Sequence, residues 1–243
     1  MNLVLVAHGT RKQHGVSLIA DLAAQVRAAL GSPVHVAFVD VLGPTPAELL
    51  AATSDRPAVL VPAFLARGYH VGSDIPAHVR SSGHPDVTVT PALGPDPALI
   101  RVLVDRLVES GWRSTDSVLL AAAGTSDPMA RRDLHTTAAW LSATIGSRVE
   151  LAFAATGTPR VADAVAAMRR HQTRRGQVGR VVIASYLLSE GLFQDRLRDA
   201  GADLVADPLG THPGVARLIA SRFIRARPRS QGPRAGSAID LVR

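Results

Sequence analysis

Short aliphatic runs alternate with longer amphipathic stretches along this chain. Leu3–Ala7, Val34–Val39, Ala58–Pro62 and Val87–Thr90 are nearly continuous runs of Val, Leu, Ile and Ala, interrupted by little that is polar. Runs of that length and continuity predict strands covered on both faces. Between the first two, apolar residues recur at 16, 18, 19, 22, 26 and 30, which predicts a helix over Val16–Leu30 with Gly31 as its stop. A second helix is expected from Pro46 through Leu50, a third over Asp74–Val79, and a fourth from Pro97 to Gly111. Proline suits a first helical position because its missing N–H would have no partner there.

The pattern then repeats. LVLVAHGTR (3–11) resembles VLLAAAGTSD (118–127), and VHVAFVD (34–40) resembles VELAFAA (149–155). AVLVPAFLARGYH (58–70) matches RVVIASYLLSEGLF (180–193), and LGPDPALIRVLVDRL (93–107) matches LGTHPGVARLIASRF (209–223). Four pairs in one order, at offsets of 115, 115, about 122 and 116, mark an internal duplication. The expected architecture is α/β: two tandem flavodoxin-like lobes, 1–113 and 114–226, each a four-stranded parallel sheet of order 2-1-3-4 flanked by helices. In such sheets ligands bind beyond the carboxyl ends of the strands, at the switch point between strands 1 and 3.

Composition narrows the chemistry. With no cysteine, disulfides, thiolate zinc sites, iron–sulfur clusters and cysteine nucleophiles are excluded. No apolar run is long enough to span a membrane, and MNLVLVA at the start reads as a strand rather than a secretion signal. A cytoplasmic protein is expected. The net charge of +7 is uneven: residues 222–243 hold six arginines against Asp240, which leaves only +2 for the rest. Residues 227–243 read as a basic, disordered tail rich in Pro, Gly, Ser and Arg. The nearly neutral remainder has no basic stripe, so neither a nucleic-acid nor a membrane partner is expected. Two fused lobes predict a monomer.

The switch point of the first lobe gathers candidate chemistry. His8 follows strand 1 directly, His70 lies in the loop after strand 3, and Asp40 ends strand 2 on the other side of strand 1. Neighbouring strands lie ~4.8 Å apart, so side chains leaving adjacent strand ends reach one cleft. Two imidazoles and a carboxylate suit Co2+, Fe2+, Ni2+ or Zn2+, and neutral imidazole is also a competent base near pH ~7. The competing structural reading is that each is a hydrogen-bonded strand-end residue. Gly9 and Thr10 likewise serve either as a strand-to-helix turn with Thr10 as N-cap or as backbone N–H groups facing an anion.

At these residues the sequence resembles the sirohydrochlorin chelatases of the CbiX/SirB type. The strand-1 motif H-G-(S/T)-R is present as His8, Gly9, Thr10 and Arg11. The longer strand-3 motif P-x-F-L-x-x-G-x-H-x-x-x-D-I-P is present as Pro62, Phe64, Leu65, Gly68, His70, Asp74, Ile75 and Pro76. The resemblance implies a chelatase-like fold and a lyase that inserts Fe2+ or Co2+ into sirohydrochlorin between the lobes, releasing two protons. It implies no organic cofactor; the divalent metal is itself a substrate, and Ni2+ also fits. It gives His8 as metal ligand and proton acceptor, His70 as second ligand, and Leu65, Ala66, Arg67, Gly68 and Tyr69 as the tetrapyrrole wall. Asp40 stands where family members carry Glu, as a third ligand or proton relay. Arg11, Lys12, Arg67 and Arg80 are candidate partners for the eight substrate carboxylates, since Arg pairs with them bidentately.

In the repeat, His8, Asp40 and His70 correspond to Ala123, Ala155 and Phe193. The second lobe is therefore expected to serve as the opposite wall, with Thr125, Ser126 and Arg131 near the substrate. The rival readings are a non-catalytic metal or tetrapyrrole carrier and a phosphohistidine hydrolase. The latter needs an Arg before His-Gly, where Ala7 stands, and neither a nucleophile elbow nor a Walker loop is present. A chain ending at Arg227 should keep the melting temperature and turnover of the full chain. A steep loss of turnover at unchanged melting temperature would instead make the tail arginines recruiters of the anionic substrate.

Overall fold

A computed structural model describes residues 1–10, 13–176 and 179–226; Arg11, Lys12 and the 227–243 tail, on which several expectations fall, lie outside it. The first half contains β1 (Asn2–Ala7), α1 (Gln13–Leu30), β2 (His35–Phe38), α2 (Pro46–Ala51), β3 (Ala58–Pro62), α3 (Ile75–Ser82), β4 (Val87–Val89) and α4 (Pro97–Glu109). The second contains β5 (Ser117–Gly124), α5 (Pro128–Ile145), β6 (Val149–Thr156), α6 (Val161–Arg174), β7 (Val181–Tyr186), α7 (Leu192–Arg198), β8 (Leu204–Val205) and α8 (Pro213–Ala226). Both sheets are four-stranded and parallel, ordered β2-β1-β3-β4 and β6-β5-β7-β8. The 2-1-3-4 order expected from the alternating pattern is the order found, so the strand 1–strand 3 switch point occurs once in each lobe.

Local chemistry explains the helix starts. Thr45 caps α2 in a full capping box with Glu48. Asp96 accepts from the Ala98 N–H ahead of Pro97 at the start of α4, and Asp127 accepts from Met129 and Ala130 ahead of Pro128 at the start of α5. The loop after β3 is shorter than the sequence pattern implies. A π-helical turn over His70–Asp74 precedes α3 and is closed by the Ile75 N–H bonding the His70 carbonyl.

Alternation along the strands assigns each sheet two buried faces. Val4, Val6, Ala37 and Leu60 point outward beneath α2 and α3. Leu119, Ala121, Val181 and Ile183 do the same beneath α6 and α7. Leu3, Leu5, Val59, Val118, Leu120 and Val182 point inward into one core shared by both halves. The layers therefore run helix, sheet, central helices, sheet, helix.

The central layer is exchanged between the halves. The last helix of the first half, α4, packs on α5 and on β7 of the second sheet. The last helix of the chain, α8, packs on α1 and on β3 of the first sheet. Hydrogen bonds repeat the exchange with two-fold reciprocity: Arg106 on α4 donates to the Leu209 carbonyl at 3.3 Å, and Arg222 on α8 donates to the Leu93 carbonyl at 3.2 Å. Both partners shift by the same 116 residues, as a two-fold related contact must. Arg222, counted above with the charged C-terminal stretch, is thus a folded residue that also reaches Asp96 at 3.2 Å.

Because α8 covers β3, the first half by itself leaves part of its inner sheet face uncovered. A 1–113 fragment should have no stable folded monomer. Circular dichroism with sedimentation should show it unfolded, or folded only with a concentration-dependent transition. A cooperative, concentration-independent monomer would contradict the exchange.

Candidate metal site and inter-lobe cleft

β1 and β3 are neighbours, in register from Asn2↔Ala58 to Val6↔Pro62. His8, one residue past β1, and His70, at the start of the π turn after β3, therefore emerge on the same sheet edge. Their ring centres lie 4.5 Å apart with planes at 41°. Two imidazoles bound to one first-row ion, each at about 2.0–2.1 Å, place their ring centres roughly 4.5–5 Å apart. The spacing between ring centres falls within that range.

Each histidine is held from behind. His70 Nδ1 bonds Asp74 Oδ2 at 2.6 Å within the same π turn. With Nδ1 donating to the carboxylate, Nε2 keeps its lone pair for an ion, the arrangement that orients metal-binding histidines generally. Phe64 stacks on His70 at 5.7 Å, and Tyr69 meets it edge-on at 6.1 Å. His8 is carried by a backbone crossing: the Asp40 N–H bonds the His8 carbonyl at 3.0 Å. Gly9 follows at φ +97°, and a Cβ there would run into the Asp40 carbonyl, so only glycine lets β1 leave the sheet here. The His8 pKa is lowered from its ordinary value, first by burial and then by the nearby His70; Asp40 and Asp74 oppose the shift. His8 is thus neutral near pH ~7, as a ligand or proton acceptor must be.

Asp40 does not join the histidines as the expected third ligand. It is exposed on the turn after β2, and its Oδ1 accepts from the Val41 N–H at 2.8 Å. Among the described residues, no three or more His, Asp or Glu side chains come together in a ligand group. The carboxylate in contact with the pair is Asp74, which the motif contains but to which sequence reasoning gave no role. Its spacing of four residues from His70 was the available signal.

A cavity of about 790 Å3 opens between the lobes, near the upper end of ligand pockets. His8, Gly9, Thr10, Leu65, Ala66, Arg67, Gly68, Tyr69 and His70 line it from lobe one, and Thr125, Leu187, Leu188, Glu190, Leu192 and Phe193 from lobe two. Four large apolar side chains on its walls stand open to solvent: Tyr69 at 72%, Leu192 at 57%, Val41 at 45% and Phe193 at 38%. Singly exposed apolar residues are ordinary, but a cluster around one cleft marks a ligand surface. Ser126 lies in a smaller adjoining pocket of about 490 Å3 with Ser73 and Thr156. Arg67 is already engaged, bonding Asp133 through Nε at 2.5 Å and through Nη2 at 3.2 Å. Arg80 and Arg131 are exposed and line neither pocket.

The molecule is thus a duplicated α/β frame with a cleft between its halves and a histidine pair on one wall of that cleft. The model of the CbiX family matches residues 2–110 and 117–226, one copy per half, and the chain belongs to that family. The sirohydrochlorin ferrochelatase of Priestia megaterium is 27% identical over 239 residues, covering 90% of this chain and 88% of that one. The sirohydrochlorin cobaltochelatase of Methanothermobacter thermautotrophicus is 28% identical over 130 residues, covering 44% of this chain and 90% of its own. In fold, SirB from Bacillus subtilis, solved with Fe3+, superposes at a TM-score of 0.79 over 93% of this chain and 96% of its own, at 20% identity. A CbiX described as the terminal enzyme of siroheme biosynthesis in denitrifying bacteria superposes at 0.68 over 94% of this chain and all of its own, at 22% identity.

The lowered His8 pKa gives a direct expectation. In an NMR titration of the full chain without metal, the His8 imidazole should protonate with a midpoint below 6.5, the ordinary value. Replacing His70 with Ala should move that midpoint up, because it removes both a desolvating wall and a like charge. An upward shift of His8 in the unaltered chain would contradict the packing described.

Proposed function

We infer that this chain is a sirohydrochlorin chelatase, inserting Fe2+ or Co2+ into the macrocycle in the cleft between its lobes. The observation that carries the reading is the His8–His70 pair, 4.5 Å between ring centres, on the wall of an apolar inter-lobe cavity. Membership of a family whose relatives are named ferrochelatase and cobaltochelatase supports the substrate.

The reaction asks for ligand exchange rather than bond cleavage between carbons. A closed four-ligand site would retain the ion, whereas two imidazoles hold it while leaving positions open to the incoming pyrrole nitrogens. His70, steadied by Asp74, acts as a ligand. His8, neutral because burial and His70 disfavour its charged form, binds the ion or accepts a pyrrole proton. Tyr69, Phe64, Leu192 and Phe193 offer apolar faces to a flat macrocycle, and the turn at Gly9 and Thr10 and the rim at Thr125 and Ser126 supply polar groups at its edge. Asp40, which raises the His8 pKa without joining the pair, acts through charge at a distance.

Among the described residues no helix is long and apolar enough to cross a membrane. The enzyme works in the cytoplasm in this reading, the reducing compartment in which ferrous iron persists. The helix exchange closes within one chain, which supports a monomer.

The test is anaerobic metal insertion followed by absorbance, beside tetrapyrrole binding by fluorescence quenching. His8→Ala should abolish insertion, because the imidazole that binds the ion or accepts the pyrrole proton is gone. His70→Ala should weaken metal capture more than tetrapyrrole binding. Neither should unfold the protein, since both residues sit at a rim and bury little apolar surface. Insertion at the wild-type rate by His8→Ala would refute the mechanism. Tetrapyrrole and metal binding without turnover by the unaltered protein would make it a carrier.

A further inference from the structure

The second lobe has no counterparts of His8 and His70, yet it reaches across and bonds the loop that carries His70. Tyr186, at the end of β7 and 2% exposed, donates its hydroxyl to the Leu65 carbonyl at 2.9 Å. Burial pushes the Tyr186 pKa up, so the hydroxyl stays a donor. The contact is tight enough that a Cβ at Gly94 would strike both the hydroxyl and that carbonyl. Asp133 on α5, 8% exposed, takes two bonds from the Arg67 guanidinium. Leu65 and Arg67 lie five and three residues before His70.

These contacts break the two-fold symmetry that the Arg106–Leu209 and Arg222–Leu93 bonds obey. By strand register, with Val59 beside Leu3 and Val182 beside Val118, Tyr186 corresponds to Ala63 and Arg67 to Glu190, and by the repeat Asp133 corresponds to Leu18. Glu190 turns instead to Arg198 of its own lobe, at 2.6 and 2.7 Å. The reciprocal Arg106–Leu209 and Arg222–Leu93 bonds already join the halves. A leucine fills the place equivalent to Asp133, so packing alone does not call for a carboxylate, whose burial is costly unless paired. The polar latch occurs only on the side that carries the histidines.

We propose that Asp133 and Tyr186 are positioning residues: lobe two fixes the 64–70 segment through Arg67 and Leu65, and so sets the distance of His70 from His8. The proposal rests on His8 and His70 being the metal-handling pair. Neither residue touches the ion. Each holds the loop, and a ligand misplaced by about 1 Å loses much of its effect.

Tyr186→Phe and Asp133→Asn in the full chain test this, with KM for Co2+ and KM for the tetrapyrrole measured separately. The visible bands of bound Co2+ without tetrapyrrole give a second readout. KM for Co2+ should rise about five- to tenfold and the Co2+ bands should shift, while KM for the tetrapyrrole stays within about twofold and the melting temperature stays above the assay temperature. Arg67→Ala with Asp133→Asn should be no worse than Asp133→Asn alone, because the two act as a pair. An unchanged KM and spectrum for Co2+ in folded variants would overturn the proposal, as would parallel losses for both substrates that track the melting temperature. Should Asp133→Asn fail to fold, Tyr186→Phe, which removes one oxygen, decides. Wild-type insertion by His70→Ala would overturn the histidine reading itself, and with it the latch.

Discussion

The fold depends on one constraint: the inner face of each sheet is covered in part by a helix from the other half of the chain. A parallel sheet between helix layers must bury both faces, and burying one side chain such as Phe223 contributes about 1.5–3 kcal/mol. Here α8 supplies that cover to β3 and α4 supplies it to β7. The two cores merge into one. The relative placement of the lobes is thereby a packing requirement, and the cleft between them inherits its shape from the core beneath.

That rigidity explains how a site with few ligands can work. The end of β1 and the π turn after β3 set 4.5 Å between the histidine rings, and among the described residues no group of three or more His, Asp or Glu forms around them. The accuracy must come from the frame: the β1–β3 register, the Gly9 crossing under Asp40, and the π turn that brings Asp74 to His70. Exposed ion pairs contribute about 0–1 kcal/mol to stability. The Arg67–Asp133 pair, half open on the arginine side, is accordingly better understood through what it orients than through what it stabilises.

The duplicated halves share their packing and differ in chemistry. Ala123 and Phe193 replace His8 and His70 in the repeat. Leu192 and Phe193 add apolar surface to the facing wall of the cleft. In the proposed function, this asymmetry gives the macrocycle one face toward the histidines and the other toward an apolar wall.

The sequence by itself determined the strands, their 2-1-3-4 order, the repeat and the meeting of His8 with His70. All of these follow from local periodicity and from the rule that ligands gather at a switch point. Tertiary structure decided the rest. Periodicity shows that Leu99, Leu103 and Leu107 on α4 face a core, but apolar burial has no direction and does not say which sheet covers them. Asp40 and Asp74 are both carboxylates beside motif histidines. Only the turn after β2, which gives Asp40 a backbone N–H to accept, and the π turn after β3 separate their roles. Arg67 looked available to substrate because its partner, Asp133, lies 66 residues away on the other lobe. No pattern within either lobe announces a contact made only when the two are folded together.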